Sequence, residues 1–257
     1  MERRSQRGRS YKRMAVFIGD SLTTGSVGDD WLARVEARFP DTLCVRECRN
    51  GDMAHNALER CTRIASLLRS ARDAGVRADV CICIGTNDML AASHPKLLRG
   101  YVVGKGWDAT TPGGKPTLQT LEQSLRKILH ALTPVASSTL LLVPPGLGEQ
   151  RPPSGEGIPS YARSYHAAAK TAANTVVVDL GPRVTGVAET VAKSPLVPFH
   201  PAAFARMTSN SVVLWWFFGL GWAKIADMRN LTWSHDGVHL TPLGGEVVAS
   251  AISHFLA

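Results

Sequence analysis

The sequence predicts an α/β protein built on a parallel sheet of about five strands with helices on both faces. Three observations lead there. Short apolar runs recur along the chain, longer segments of helical periodicity separate them, and polar turn residues stand directly behind the first three runs. Runs that are apolar on both sides of the chain suit strands covered on both faces, which is the situation in a parallel sheet.

The first run, residues 15–18, is ended at once by the turn formers Gly19, Asp20 and Ser21. Further strands are expected at 43–46, 80–84, 139–143 and 175–179. Helical patterns lie between them at 30–38, 54–74, 117–132 and 161–173. In the third of these, Leu118, Leu121, Leu125, Ile128, Leu129 and Leu132 recur at three-and-four spacing and form one apolar stripe. A last helix, 243–256, is marked by Thr241 as a cap and Pro242 in the first turn. Strand–helix alternation of this kind calls for right-handed crossovers. Two stretches break the rhythm. Residues 91–116 are rich in Gly, Pro and Thr and read as a long loop. Residues 184–233 read as an insert that carries Trp215, Trp216, Phe217, Phe218 and Trp222.

At 257 residues the chain suits one large domain or two small ones, and a chain of this length buries roughly three quarters of its unfolded surface. Hydrophobic content of 44% with 19% charge is that of an ordinary globular protein. The net charge of +8 raises a nucleic-acid hypothesis, but Arg3, Arg4, Arg7, Arg9, Lys12 and Arg13 crowd into residues 1–13 against Glu2 alone. Such a run reads as a solvated, disordered arm, so the division is an arm at 1–13 and one domain at 14–257, with no nucleic-acid partner. The apolar run behind the arm is too short for a secretory signal. The expected location is cytoplasmic, with organellar import through the arm as the alternative. Cys44, Cys48, Cys61, Cys81 and Cys83 lack CxxC spacing, which suggests neither a zinc site nor a disulfide framework. Cys81 and Cys83 share one face of a strand and are expected to pack in the core. Residues 212–223 fall short of the roughly 20 needed to span a bilayer, so no transmembrane segment is expected.

Chemistry concentrates at the strand ends. A hydroxyl at the carboxyl end of a strand in an open parallel sheet stands where ligands bind, and Ser21 is so placed. Asp236 and His239 stand three apart around Gly237. One tight turn can present both side chains together, the carboxylate holding the imidazole Nδ1 proton while Nε2 faces outward as a base. A serine hydroxyl is inert near neutral pH without such a partner. His235 adjoins Asp236 and is expected to point elsewhere, as a surface or supporting residue. Asn87 follows the third run and carries an amide that can donate to a developing oxyanion. Gly51 follows the second and lets its backbone N–H approach a ligand closely. Singly, each is more often a turn or a helix cap.

In order along the chain, Gly19-Asp20-Ser21-Leu22, Asn50-Gly51-Asp52, Gly85-Thr86-Asn87-Asp88 and Asp236-Gly237-Val238-His239 resemble the four marker blocks of the SGNH, or GDSL-type, hydrolase superfamily. The resemblance implies a flavodoxin-like, three-layer α/β/α fold and a serine esterase or lipase that cleaves acyl esters through an acyl-serine intermediate. It implies a triad of Ser21, His239 and Asp236, and an oxyanion hole from the backbone N–H groups of Ser21 and Gly51 with the Asn87 side chain. Asp20 is structural by the same resemblance. No metal or organic cofactor is called for, and the partner is a small-molecule acyl ester or a lipid. Met53 stands where relatives often carry a small hydroxyl residue, which is expected to alter the rim of the hole.

Trp215, Trp216, Phe217 and Phe218 are the substrate-binding candidates, as an acyl pocket, a lid or a lipid-surface contact; the alternative is that some fill the core. Two other readings compete. A carbohydrate or small-alcohol deacetylase would use the same machinery, and a non-catalytic domain of this fold could bind acidic partners through the arm. Intact Ser21, Asn87, Asp236 and His239 argue against the second. A phosphate loop at 111–117 is excluded, because Pro116 stands where Ser or Thr is required.

Overall fold

The computed structural model describes residues 11–94, 116–149, 160–191, 199 and 201–257. Five strands, β1 (Arg13–Gly19), β2 (Thr42–Cys48), β3 (Arg77–Cys83), β4 (Ser138–Val143) and β5 (Thr175–Asp179), form one sheet. Among the described residues the helices are α1 (Ser21–Thr24), α2 (Trp31–Arg38), α3 (Ala54–Leu58), α4 (Cys61–Asp73), α5 (Thr86–Ser93), α6 (Leu118–Leu132), α7 (Ser160–Ala169), α8 (Gly181–Val191), α9 (Pro201–Phe218), α10 (Trp222–Asp227) and α11 (Pro242–Leu256).

The sheet runs β2-β1-β3-β4-β5 and every pair is parallel. The chain therefore steps from β1 to one side for β2 and returns to the other side for β3, which makes a crevice at the carboxyl ends of these strands. Register sharpens the point: Gly19 of β1 is level with Cys48 of β2 and with Cys83 of β3. Three turns thus leave the sheet at one height.

Period-two alternation in β1 divides its side chains between two cores. Met14, Val16 and Ile18 join Ile64 and Leu68 of α4, the α6 stripe and Tyr165 of α7 on one face. Ala15 and Phe17 join Trp31 and Leu32 of α2, Val184 of α8 and Val248 and Ile252 of α11 on the other. This is the expected three-layer α/β/α arrangement. In the α6 stripe Leu121, Leu125, Ile128, Leu129 and Leu132 are fully buried, whereas Leu118 is half-buried. Thr117 caps α6 by accepting the Thr120 N–H (3.1 Å), and Thr241 caps α11 with Pro242 in its first turn.

The single helix expected at 54–74 is two. Arg60 turns inward, where its guanidinium donates to Asp52 and to the carbonyls of Asn56 (3.2 Å) and Glu47 (3.1 Å). The Asn56 carbonyl is then served by a side chain, the Arg60 N–H bonds three residues back to Ala57 (3.1 Å), and the α-helix restarts at Cys61. The helix expected to reach 173 stops at Ala169, where the Thr171 hydroxyl takes the Ala168 carbonyl (3.0 Å). The insert at 184–233 is mainly helical where described, through α8, α9 and α10; residues 192–198 and 200 lie outside the described residues. Of the loop expected at 91–116, residues 91–93 complete α5 and 95–115 lie outside the described residues. Residues 1–10 of the arm lie outside as well. Arg13, grouped with the arm by its charge, opens β1 and pairs with buried Asp79 (3.2 Å). Cys81 and Cys83 do pack in the second core, and all five thiols are free. Burial pushes the Cys44 and Cys48 thiols up to about 12, which makes them unreactive. No helix of the described residues is long and apolar enough to cross a membrane.

Behind the third turn, Tyr165 is buried and donates its hydroxyl to the Ile84 carbonyl (2.6 Å). Tyr165→Phe strands that carbonyl and should lower stability by about 1–3 kcal/mol. The check is the urea midpoint, which should fall at unchanged m-value; an unmoved midpoint would refute the assigned role.

Candidate active site

Ser21 opens α1 directly behind β1. Asp20 caps that helix, its Oδ1 accepting the Leu22 N–H (3.0 Å), so the serine is held by its neighbour's side chain. The Ser21 Oγ lies 3.0 Å from His239 Nε2, across 218 positions of sequence.

His239 belongs to a loop closed on itself. The His235 N–H donates to the His239 carbonyl (3.0 Å), the Thr241 N–H donates to the Trp233 carbonyl (2.9 Å), and Ser234 and Leu240 form an antiparallel bridge. Gly237 turns the loop at φ 90°, and a Cβ there would press on the Phe199 ring at 3.2 Å. Inside the turn Asp236 Oδ1 accepts the N–H groups of Val238 (3.0 Å) and His239 (2.8 Å), while Oδ2 lies 2.7 Å from His239 Nδ1. A carboxylate only accepts, so Nδ1 carries the imidazole proton and Nε2 presents a lone pair to Ser21.

Burial alone would push the Asp236 carboxyl up; the charge and hydrogen bond of His239 outweigh it and hold the group well below the carboxylate range. Burial likewise pushes His239 down, but the charge and hydrogen bond of Asp236 prevail and the net shift is upward. His235 is the opposite case, pushed down to about 4 mainly by burial, and is neutral at ordinary pH.

Four supporting residues escaped the sequence reading. Thr208 of α9 places Oγ1 2.6 Å from Asp236 Oδ2 and 3.0 Å from the Phe204 carbonyl; both only accept, and the shorter contact to the charged carboxylate takes the larger share of its one proton. Glu149 is fully buried and accepts from the Thr232 N–H (2.6 Å), the Ser234 N–H (2.7 Å) and the Ser234 hydroxyl (2.9 Å), which pins the start of the loop. Ser211 of α9 meets His235 Nδ1 at 3.0 Å, and Arg229 donates to both Ser211 Oγ (2.7 Å) and the His235 carbonyl (2.6 Å). Glu149 stands a few residues past the carboxyl end of β4, so the strand-end rule could have flagged it; nothing in the sequence marks Thr208, Ser211 or Arg229. His235 is buried rather than at the surface, because Trp222 stacks on its ring at 4.6 Å while the His239 ring lies near-parallel at 5.9 Å.

The two remaining turns face the same crevice. Gly51 adopts φ 73°, as its turn requires. Asn87, near the start of α5, gives one Nδ2 proton to the Asp52 carbonyl (2.9 Å), and an amide nitrogen has a second to offer a ligand. Asp88 Oδ2 accepts the Ala54 N–H (2.9 Å), tying the turns together. Burial pushes the Asp88 carboxyl up to about 7 and that of Asp20 up to about 6. The Met53 side chain, expected at the rim of the hole, is fully buried.

The structure therefore brings Ser21, His239 and Asp236 together. Of the aromatic candidates, Trp215 is 42% exposed and Trp216, Phe217 and Phe218 are 73%, 77% and 69% exposed, so these four do not fill the core. Their link to the site passes from Trp215 to Trp222 (5.2 Å) and on to His235. The ring against His239 on the α9 side is Phe204, near-parallel at 6.2 Å. Among the described residues His235, Asp236 and His239 have ligand atoms within 4.8 Å of one another, as a cation would need. Those atoms are engaged with each other and with Ser211 and Thr208.

No curated protein matches the sequence. Among solved structures, LAE5, an alpha/beta hydrolase enzyme from the metagenome of Lake Arreo, Spain, is 16% identical over 95% of each chain with a TM-score of 0.56. Axe2, an acetylxylan esterase from Geobacillus stearothermophilus, is 18% identical over 96% of this chain and 94% of its own, with a TM-score of 0.55. At these identities the likeness is one of fold. The GDSL-like lipase/acylhydrolase profile matches residues 17–247, a span that runs from β1 into α11 and takes in Ser21, Gly51, Asn87, Asp236 and His239. The chain accordingly belongs to the GDSL-like lipase/acylhydrolase family and is a carboxylic ester hydrolase.

Proposed function

We propose that the protein cleaves carboxylic esters through an acyl-serine intermediate, with Ser21 as nucleophile, His239 as proton carrier and Asp236 as the carboxylate that orients and charges the imidazole. The observation that carries this reading is the line of bonds from Ser21 Oγ to His239 Nε2 (3.0 Å) and from His239 Nδ1 to Asp236 Oδ2 (2.7 Å). The backbone N–H groups of Ser21 and Gly51 and the Asn87 amide serve as oxyanion donors; the three level strand ends support that assignment.

In this mechanism His239 Nε2 takes the Ser21 proton as Oγ bonds to the ester carbonyl carbon, and the carbonyl π electrons move onto oxygen. The oxyanion rests on the three donors. As the tetrahedral centre collapses, the bond to the leaving alkoxide breaks and Nε2–H protonates it. Water then repeats the sequence: Nε2 takes its proton, the hydroxide oxygen attacks the acyl carbon, and Oγ leaves with the proton returned. Asp236 stays ionised and stabilises the imidazolium. The Phe204 ring beside His239 helps exclude water from the imidazole. A deacetylase acting on a carbohydrate or small alcohol would use these same atoms; acyl-chain length, rather than the triad, separates it from a lipid-directed esterase.

A fluorophosphonate probe should label the wild-type chain and leave Ser21→Ala unlabelled; labelling that persists in the variant means another nucleophile. Asn87→Ala should lower kcat by about 10²–10³ with little change in KM, as the loss of a donor felt only in the transition state does. His239 must be neutral to accept the proton, so its raised pKa predicts that kcat/KM falls as pH drops through a midpoint above the 6.5 of an ordinary imidazole. Asp236→Asn should move that limb to lower pH and reduce kcat by roughly 10³–10⁴; a limb unmoved by the substitution would point to a different base.

A further inference from the structure

Helix α9 ends in Trp215, Trp216, Phe217 and Phe218, and the last three are more than two thirds exposed. Single exposed hydrophobic residues are ordinary, but a contiguous run of large rings is not. Together the four rings offer on the order of 500 Å² to solvent; being consecutive in the helix, they fan around its end and make the tip apolar on most sides. Val213 at 45% and Met228 at 58% exposure add to the apolar surface of the same insert.

We infer that this helix tip docks on an anionic phospholipid bilayer. Tryptophan and phenylalanine at one end of a helix suit the boundary between headgroups and acyl chains, where the indole N–H stays wet and the phenyl rings bury their apolar surface. The charge around the patch fits an anionic surface. Residues 199–226 hold no carboxylate; the charged side chain nearest the rings in sequence is the exposed Lys224, while the exposed Arg206 stands nine residues, about 14 Å of helix, before Trp215. Asp227 follows and reaches Lys224 at 3.6 Å, but an exposed pair of this kind is weak and leaves the cation available. Residues 14–257 carry a net charge of +3, so the field of the domain acts weakly in the same direction. A second copy of the chain fits less well, since a stable interface takes about 800 Å² from each partner and this patch offers less.

The patch is also next to the chemistry. Trp215 stacks on Trp222 at 5.2 Å, Trp222 on His235 at 4.6 Å, and His235 lies 5.9 Å from His239. Docking at the tip therefore sets the ester site beside the bilayer, and the substrates so delivered are lipid esters. That assignment of substrate rests on the proposed serine esterase reading; the docking itself does not.

The test is flotation of the full chain with vesicles of phosphatidylcholine alone and of phosphatidylcholine mixed with phosphatidylglycerol. The wild type should float with the mixed vesicles, less with the neutral ones, and less again at high salt. The combined substitutions Trp216→Ala, Phe217→Ala and Phe218→Ala should reduce the partition coefficient by about a hundredfold at an unchanged thermal midpoint. Lys224→Glu, which keeps every ring, should weaken binding to the mixed vesicles by about fivefold or more and leave the neutral ones unaffected. Ser21→Ala should float like the wild type, so a failure of the esterase chemistry and a failure of docking read out separately. Wild-type protein that stays with neither vesicle, or a triple variant that floats undiminished, overturns the inference. So does self-association in sedimentation equilibrium that the triple substitution abolishes, since the rings would then cover a second copy.

Discussion

Asp236 has to remain charged while cut off from water, and much of the acid–base end of the molecule is arranged around that demand. A buried carboxylate is destabilising by several kcal/mol unless donors surround it. Here the donors are the N–H groups of Val238 and His239, the imidazole Nδ1–H and the Thr208 hydroxyl. Each needs a fixed position of its own. The turn at Gly237 supplies the first two, and Glu149, a second buried carboxylate with three donors, anchors the chain where it enters the loop. His235 stays neutral between Trp222 and His239, so the loop holds no rival cation to compete for the carboxylate.

The serine comes from the other end of the chain, and the sheet brings it there. Because β1 is flanked by β2 and β3 with their ends level, the turns carrying Ser21, Gly51 and Asn87 leave the sheet side by side. Cross-bonds keep them so: Asn87 to the Asp52 carbonyl and Asp88 to the Ala54 N–H join the second turn to the third. Preorganisation of this kind matters because a donor placed before the reaction needs no rearrangement when charge develops.

The regular parts of this design were legible in the sequence because they rest on local pattern. The five strands stood out as apolar runs, and the α6 stripe and the Thr241-Pro242 start of α11 as periodicity and cap. Ser21, Asp236 and His239 were legible because four blocks stand in order along the chain and resemble those of a known family. Strand-end position or three-residue spacing alone is equally compatible with a turn; the structure brings their side chains together. What escaped depends on contacts between distant segments. Arg60 breaks a helix by reaching back to Asp52, a bond invisible in a helical pattern. Thr208 and Ser211 are unremarkable polar residues in an apolar helix until α9 packs against the acid–base loop. The full burial of Met53 also depends on packing between distant segments that its position after Gly51-Asp52 does not reveal.

One helix holds two of these features at once. Thr208 and the ring-bearing tip are both on α9, a rod of 18 residues about 27 Å long. An α-helix is stiff along its axis, so a displacement of its end moves its hydroxyls too. The 2.6 Å bond from Thr208 to Asp236 is short enough to feel a shift of a few tenths of an ångström. The donor to Asp236 and the exposed rings are thus carried by one rod, so the carboxylate beside His239 and the molecular surface share a single rigid element.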